Sequence, residues 1–317
     1  MQIRVYLSQV SDLNGILFFD KPKGLTSASA VSRLKYFLKA SKVGHGGTLD
    51  PMATGILPIL FGEATKFAGV ALESDKSYFA EIFLGIITDT GDAEGNLLKK
   101  VKVKCSNEDI RWVVESLVGE QLQIPPMYSA LKYNGTPLYK LARKGVEIAR
   151  KPRKIIIKKV LIKEINLPKI SIEIVCSKGT YIRSVAEKIG NQLGCGAHLS
   201  KLDRIAIGNF SKGDTWTFNQ IKKNFSELSK TEFLNQIFRP VDALLDNFDF
   251  VYLNNLEEEK FLNGQKIRLN KNHKKDISYR EFYPKLKVYG YRKNFLGLGM
   301  ISGDSHIQPV RVLKSVD

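Results

Sequence analysis

The chain has 317 residues with 43% hydrophobic content, enough for one large domain or for a large and a small one, each with its own core. Its 49 Lys and Arg against 32 Asp and Glu give a net charge of +17, which predicts a polyanionic partner, since solubility alone needs far less imbalance. No apolar run approaches the roughly 18 residues of a membrane span, and three cysteines with a polar start predict a reduced, cytoplasmic protein without a membrane segment.

The first predicted elements are a short buried strand and a helix. The strand covers Gly15 to Phe19 and runs into the sequence DKPKGLTS at residues 20 to 27. Thr26 or Ser27 is the expected N-cap of the helix. Apolar residues then recur at helical spacing: Val31, Leu34, Phe37 and Leu38.

The loop after this helix carries GHGGTLDP at residues 44 to 51. Its glycines allow the backbone positive φ angles and a close approach to another group. The run ends in Asp50, which is fixed beside Pro51. An ordinary Asp-Pro turn explains the motif taken alone, so the rest of the chain must decide whether Asp50 is functional.

The middle of the chain contains more strands than helices. Tyr78 to Leu84 alternates with a period of two, and further strands are predicted at 154 to 164 and 170 to 176. A capping box at Ser106 and Asp109 begins a helix whose apolar stripe ends at Gly119, and a second helix is predicted from about Tyr181 to Leu193. The irregular order of these elements favours an α+β fold over a βαβ repeat.

The last part of the chain differs in pattern. Asp242 to Asp249 is an acidic stretch with a turn signal at Asp246-Asn247, and Glu257 to Glu259 are interpreted as continuing this break. Short strands with glycines at their turns are predicted beyond it. We therefore predict a large domain at 1–248 and a small β-rich domain at 249–317. The turn glycines of the second domain are Gly264, Gly290, Gly297, Gly299 and Gly303.

Arg183 stands where the strand in CSKGTYIRS turns into a helix. If Thr180 is the N-cap, Arg183 lies in the first turn, where a cation opposes the helix dipole by up to about 1 kcal/mol and calls for an anion. Asp50 is the candidate anion, and a solvated arginine is the alternative. A paired Asp50 would stay ionised and could act as a nucleophile or base.

Other features allow both a functional and a purely structural interpretation. Tyr78 could present a ring on which a base stacks, or simply pack in the core. Residues 143 to 159 hold eight Lys or Arg beside Glu147, which fits a surface that follows phosphates or an ordinary solvated face. Cys195 and His198 are the closest Cys/His pair and are expected to pack or cap, so no metal site is predicted. No P-loop motif occurs.

Six sequence blocks together resemble one family, the TruB class of tRNA pseudouridine synthases. The blocks lie in the family's order and span most of residues 14 to 210. The resemblance implies the pseudouridine synthase fold, with a central mixed, largely antiparallel sheet flanked by helices and loops, and a PUA-like RNA-binding domain at the C-terminus. The blocks are DKPKGLTS, GHGGTLDPMATGILP, DKSYFAEIFLG, QIPPMYSALKYNG, CSKGTYIRS and GCGAHLSKLDR.

The same resemblance implies roles for individual residues. Asp50 corresponds to the catalytic aspartate, Arg183 to its partner and Tyr78 to the stacking tyrosine. His45 corresponds to the residue placed against the tRNA loop as the target base leaves it. Lys21 and Pro22 match a motif credited with supporting the active-site loop. The substrate-binding candidates are therefore His45, Leu202 as an apolar wall of the uracil pocket, Tyr181, Lys21 and Gly47.

One position departs from the family pattern. Gly46 stands where many relatives have threonine, and we expect this difference to cost at most one hydroxyl contact and to leave Asp50 undisturbed.

The implied reaction is the isomerisation of uridine 55 in the T-arm of tRNA without a cofactor. We expect tRNA as partner, no obligate protein partner and a monomer. Two alternatives stay open: a catalytically silent RNA-binding protein, and the guide-RNA-dependent branch of the superfamily, which acts within multi-protein particles.

Overall fold

The structure is a computed structural model that describes residues 13–245, 248–270, 273, 285–303 and 305–313. The helices of these residues are α1 Ser27–Phe37, α2 Ala68–Glu73, α3 Asn107–Glu115, α4 Leu138–Ala142, α5 Ile182–Gln192, α6 Phe218–Glu227, α7 Lys230–Ile237 and α8 Asn255–Leu262. The strands are β1 Gly15–Lys21, β2 Val43–His45, β3 Thr54–Phe61, β4 Lys76–Leu84, β5 Ile86–Thr88, β6 Leu97–Lys100, β7 Gly119–Gln123, β8 Lys132–Tyr133, β9 Thr136–Pro137, β10 Arg153–Asn166, β11 Lys169–Cys176, β12 Ala197–Ile207, β13 Phe210–Ser211, β14 Asp249–Tyr252, β15 Ile267–Arg268, β16 Lys285–Tyr289, β17 Phe295–Ser302 and β18 His306–Val312.

A nine-stranded sheet forms the centre of the molecule. Its main path runs β1-β3-β12-β4-β11-β10-β7, with β2 beside β3 and β13 beside β12. The β3–β12 pairing is parallel, with Asp203 opposite Thr54, and the other pairings in this sheet are antiparallel. The predicted α+β fold with a mixed, largely antiparallel sheet is confirmed.

The large core lies between this sheet and the helices. In β4 every second residue from Lys76 to Leu84 is buried, as the alternation predicts. Helix α3 begins with the predicted capping box of Ser106 and Asp109, and α1 with the side chain of Thr26 accepting from the backbone of Ser29. Local sequence signals therefore correctly predict β4 and the starts of α1 and α3.

Five of the eight helices in the described ranges were not predicted from the sequence: α2, α4, α6, α7 and α8. Helices α6 and α7 follow β13, and each begins with a capping box, formed by Thr217 with Gln220 and by Ser229 with Glu232. Helix α6 packs on α1, with the rings of Phe37 and Phe225 5.1 Å apart, and α7 packs on α6, with the rings of Phe225 and Phe233 5.3 Å apart. Because these helices are short and their buried faces narrow, their capping signals are stronger than their periodicity.

A second sheet, in the order β14-β16-β17-β18-β15, has its own apolar core and confirms the predicted β-rich C-terminal part. Two details of the prediction were wrong. Glu257 to Glu259 do not continue a break but lie in α8, which Asn254 and Glu257 cap reciprocally. Gly297 and Gly299 lie inside β17 rather than at turns. The predicted turn at Asp246-Asn247 falls outside the described residues.

The second sheet contacts the first part of the chain. The rings of Phe67 and Phe295 are 5.6 Å apart, and Lys66 Nζ donates to the carbonyl of Val312 at 2.9 Å. The domain boundary at 248/249 stays a prediction. None of the helices in the described ranges combines the length and the hydropathy that a membrane span requires.

Candidate active site

The loop that carries Asp50 joins β2 to β3 and is fixed from below by two side chains. Ser27, at the start of α1, donates to the carbonyl of Leu49 at 3.0 Å and accepts from its N–H at 2.8 Å. Lys21 is fully buried and donates to the carbonyl of Leu25 at 2.7 Å and to that of Pro51 at 3.4 Å. These bonds tie the residues on both sides of Asp50 to the scaffold.

Arg183 meets Asp50 at this loop. Its Nε lies 3.0 Å from Asp50 Oδ2, so the predicted ion pair forms. Arg183 is buried, whereas the Asp50 side chain keeps 34% of its surface exposed and faces the open side of the pair. The N-cap of α5 is Tyr181 rather than Thr180, which still leaves Arg183 in the first helical turn. The anion that Arg183 requires at this helix terminus is Asp50.

Three further groups hold the Arg183 guanidinium. Its Nη1 lies 3.6 Å from Asp92 Oδ2 and donates to the carbonyl of Thr90 at 3.1 Å, and its Nη2 donates to the carbonyl of Tyr128 at 2.7 Å. Asp92 is 5% exposed, and its Oδ1 accepts from Thr90 Oγ1 at 2.7 Å. With every edge of the guanidinium occupied, Arg183 has one position in which it can meet Asp50.

The pKa of Asp50 is raised above its ordinary value of 3.8. Burial of the carboxyl group is the largest cause, and the negative charge of Asp92 adds to it, while Arg183 and Lys21 lower the pKa. Arg183 therefore favours the ionised form of Asp50, as the sequence predicts, while burial, which arises only in the folded chain, opposes it.

Tyr78 and Leu202 lie on neighbouring strands beside the Asp50 loop. Tyr78, on β4, is 8% exposed and pairs with Arg204 of β12, while Leu202 of β12 pairs with Ala80 and is 6% exposed. Burial raises the pKa of the Tyr78 phenol, so its ring is neutral over the physiological range. The two side chains supply an aromatic ring and an apolar wall within one stretch of sheet.

Arg204 is a site residue that was not predicted from the sequence. It is 1% exposed, and its Nε donates to the carbonyl of Ile56 at 2.8 Å and its Nη2 to that of Gly47 at 3.1 Å. It also contacts the Tyr78 hydroxyl. Its position two residues after Leu202, on the same face of a buried strand, is the sequence signal that could have identified it.

The remaining candidates lie around this centre. His45 ends β2, and its Nδ1 is buried without a hydrogen-bond partner among the described residues. Burial, with the nearby Arg204 charge, lowers the pKa of His45. The backbone of Tyr181 makes two bonds with the side chain of Gln123, at 2.8 and 3.0 Å, and the guanidinium of Arg153 lies 4.8 Å from its ring centre. Gly47 has a φ of +140° against Arg204, a conformation that favours glycine.

Gly46 is packed more tightly than the sequence suggested. A Cβ atom added at Gly46 would lie 2.6 Å from the Cβ of Ala71 and 3.3 Å from that of Pro58. The atom in the way belongs to α2 and is attached directly to the backbone, so a larger residue would require α2 to move. The expectation that glycine at this position costs at most one hydroxyl contact stays a prediction, and Ala71 occupies the space that a larger side chain would need.

The basic run at 143 to 159 begins at the end of α4 and enters β10. Three of its cations are paired with acids: Lys158 with Asp75, Lys154 with Glu120 and Arg150 with Glu147. Three exposed lysines of the run have no acidic partner in the described part of the chain: Lys144, Lys151 and Lys159. The positive surface is therefore smaller than the count of basic residues indicates.

Cys195 and His198 are both packed in the interior, as predicted. Cys195 is buried in the core, and His198 Nδ1 lies 3.1 Å from the carbonyl of Ile86. Across the described ranges, no cluster of three or more His, Cys, Asp or Glu side chains could hold a metal ion.

Comparison with known proteins identifies relatives over almost the whole chain. Residues 35–182 match the model of the TruB family pseudouridylate synthase (N terminal domain). Residues 183–246 match the tRNA pseudouridylate synthase B C-terminal domain, and residues 251–313 match the pseudouridine synthase II TruB, C-terminal, model.

Individual proteins show the same likeness. The tRNA pseudouridine synthase B of Stutzerimonas stutzeri (strain A1501) is 39% identical over 96% of this chain and 97% of its own length. That of Cupriavidus metallidurans (strain CH34) is 40% identical over 96% of this chain and 95% of its own. A chain of the solved Cbf5-Nop10-Gar1 complex superposes with a TM-score of 0.72 at 24% identity, covering 95% of this chain and 84% of that one, which is a likeness of fold.

Proposed function

The chain belongs to the TruB family of pseudouridine synthases, and we propose that it isomerises uridine 55, in the T-arm of tRNA, to pseudouridine. Pseudouridine synthesis in tRNA is the activity of its curated relatives. The observation that carries the proposal is the Asp50–Arg183 ion pair, at 3.0 Å, beside Tyr78 and Leu202. The net charge of +17 suits a polyanionic substrate.

Substrate entry requires the target uridine to leave its loop. An enzyme that acts on a base within folded RNA must extrude that nucleotide and stack it in a pocket. We assign the stacking surface to Tyr78 and the apolar wall to Leu202. His45, whose Nδ1 has no partner in the described part of the chain, is assigned to the RNA loop that the base leaves.

The reaction replaces the carbon–nitrogen bond between ribose and uracil by a carbon–carbon bond. The bond between the ribose C1′ and uracil N1 breaks, and a bond between C1′ and C5 of the same base forms. N1 gains a proton, and the hydrogen of C5 is released to solvent. Asp50, as a carboxylate, attacks the sugar or the uracil ring, or assists loss of the base. Because the base never departs as a product, the reaction consumes no water and needs no cofactor.

Arg183 and Asp92 are positioning residues in this scheme. Arg183 is held by the carbonyls of Thr90 and Tyr128 and by Asp92, and therefore presents its Nε to Asp50 in one orientation. A carboxylate that is already held in position can approach the reacting carbon without a further loss of conformational entropy. Lys21 supports the loop from its buried side and does not reach the open face.

Tritium release tests the proposal. T-arm RNA labelled with tritium at C5 of uridine loses the label to water when C5 bonds to C1′. Purified protein should release one equivalent from position 55 of bare tRNA with no added protein or guide RNA. A catalytically silent RNA-binding protein would bind the RNA and release none. A member of the guide-dependent branch would be inactive until its partners were added.

A further inference from the structure

A row of lysines follows the hairpin of β5 and β6. From Lys100 to Cys105 the burial alternates: Val101, Val103 and Cys105 pack against the core, and the lysines between them are exposed. Because alternate residues of an extended chain point to one side about 6.6 Å apart, these side chains form a straight line of charges. The lysine row consists of Lys100, Lys102 and Lys104.

The lysine row has no acidic partner within the described ranges. The ion pairs found there use other lysines and arginines, and the three side chains are exposed. The row ends at the start of α3, where Glu108 and Asp109 are acidic. A solvated face tolerates both positive and negative side chains. The lysine row carries only positive charges, and the acidic residues Glu108 and Asp109 follow it in the chain.

The row is connected to the proposed active site. The turn of the hairpin contains Thr90 and Asp92, both of which contact Arg183. Lys100 pairs with Ile86 at the opposite end of the hairpin from that turn. At about 3.3 Å per residue of extended chain, Lys104 lies about 23 Å from Leu97, the first residue of β6 after the turn. The row therefore leads away from the site that would hold the flipped uridine.

We propose that the lysine row binds the phosphate backbone of the substrate tRNA outside the T-arm. This inference rests on the proposed function, because it takes tRNA as the substrate. Each lysine would neutralise a phosphate and release its counterions, a contribution that does not depend on base sequence. Binding of this kind would increase affinity for a whole tRNA and leave an isolated T-arm hairpin unaffected.

The test compares two RNAs and two triple variants. The first variant carries Lys100→Gln, Lys102→Gln and Lys104→Gln. The control removes the same charge from exposed lysines of α6 and α7, with Lys222→Gln, Lys223→Gln and Lys230→Gln. Dissociation constants for full-length tRNA and for the T-arm hairpin are measured over a range of salt concentrations, together with tritium release from the hairpin.

We expect the first variant to bind full-length tRNA at least tenfold more weakly than wild type. The slope of its log K against log salt should be shallower by about two to three, because each lost phosphate contact reduces the slope by about 0.9. Its affinity for the hairpin and its tritium release should stay within twofold of wild type, which also shows that it folds. Unchanged binding of full-length tRNA, an equal loss on both RNAs, or an equal loss in the control would overturn the inference. A wild-type protein that releases no tritium from the hairpin would instead refute the proposed function.

Discussion

The guanidinium of Arg183 joins two acids from separate loops, Asp50 at 3.0 Å and Asp92 at 3.6 Å. Asp50 precedes β3 and Asp92 lies in the turn between β5 and β6, so one buried cation fixes the relative positions of two segments. The exposed face of Asp50 is then the part of this network that a substrate can reach.

Substitutions of Arg183 should distinguish the effect of its positive charge on activity from the effect of its hydrogen-bond geometry. Arg183→Lys keeps the cation but cannot contact both acids and two carbonyls with a single ammonium group. We expect kcat to fall by about 10²-fold, the scale associated with misplacing a catalytic group by about 1 Å. The kcat of Arg183→Met should fall further, because this variant also leaves Asp92 buried without a cation beside it. Single-turnover tritium release measures both, and wild-type kcat in Arg183→Lys would contradict the positioning role.

The pH dependence of the reaction should report the raised pKa of Asp50. The carboxylate is the active form, so kcat/KM should fall as pH decreases through a pKa above 3.8. Since Arg183 lowers this pKa, Arg183→Met should move the acidic limb to higher pH. The profile is measured on the T-arm hairpin, with binding followed in parallel to separate RNA effects. An acidic limb at or below 3.8 would contradict the assigned direction.

Gly46 and Gly44 offer a matched pair of substitution sites for testing the packing at Gly46. A Cβ atom at Gly46 meets Ala71 at 2.6 Å, whereas at Gly44 the nearest atom is 3.8 Å away. Gly46→Ala should lower the free energy of unfolding by about 1–3 kcal/mol through overpacking. Gly44→Ala should leave it unchanged or raise it by up to about 1 kcal/mol, because the unfolded chain loses freedom. Urea denaturation decides between them, and equal stability of the two variants would refute the packing argument.

The unpaired lysines of the basic run should determine part of the salt dependence. A variant with Lys144→Gln, Lys151→Gln and Lys159→Gln should bind the T-arm hairpin more weakly. Its slope of log K against log salt should be shallower by up to about 0.9 for each phosphate that the variant no longer neutralises. The triple variant in α6 and α7 serves as the control for net charge. A flat salt dependence in the wild-type protein would rule out this surface as a phosphate-binding surface.

Much of the framework could be predicted from local sequence. The alternation in β4 and the capping box at Ser106 are short-range signals, and both elements form as predicted. Helix α8 was not predicted because the acids Glu257 and Glu258 were taken for a break, although acids in a first turn stabilise a helix. The capping boxes of α6, α7 and α8 are local signals of the same kind, and they were missed in the prediction.

The site itself could be predicted only in part. Arg183 and Asp50 were paired because a cation in a first helical turn requires an anion, and the predicted contact forms. The carbonyls of Thr90 and Tyr128 that complete the guanidinium shell are backbone atoms, and no residue pattern marks them. The direction of the Asp50 pKa shift depended on burial, which is a property of the folded chain.

The measurement that tests the central claim most directly is tritium release by wild-type protein and Asp50→Asn from uridine 55 of the T-arm. Asparagine keeps the size of the side chain and removes its charge. The account predicts full release by the wild type and none by Asp50→Asn, with tRNA affinity of the variant within a few-fold of wild type. Release by Asp50→Asn at the wild-type rate would contradict it.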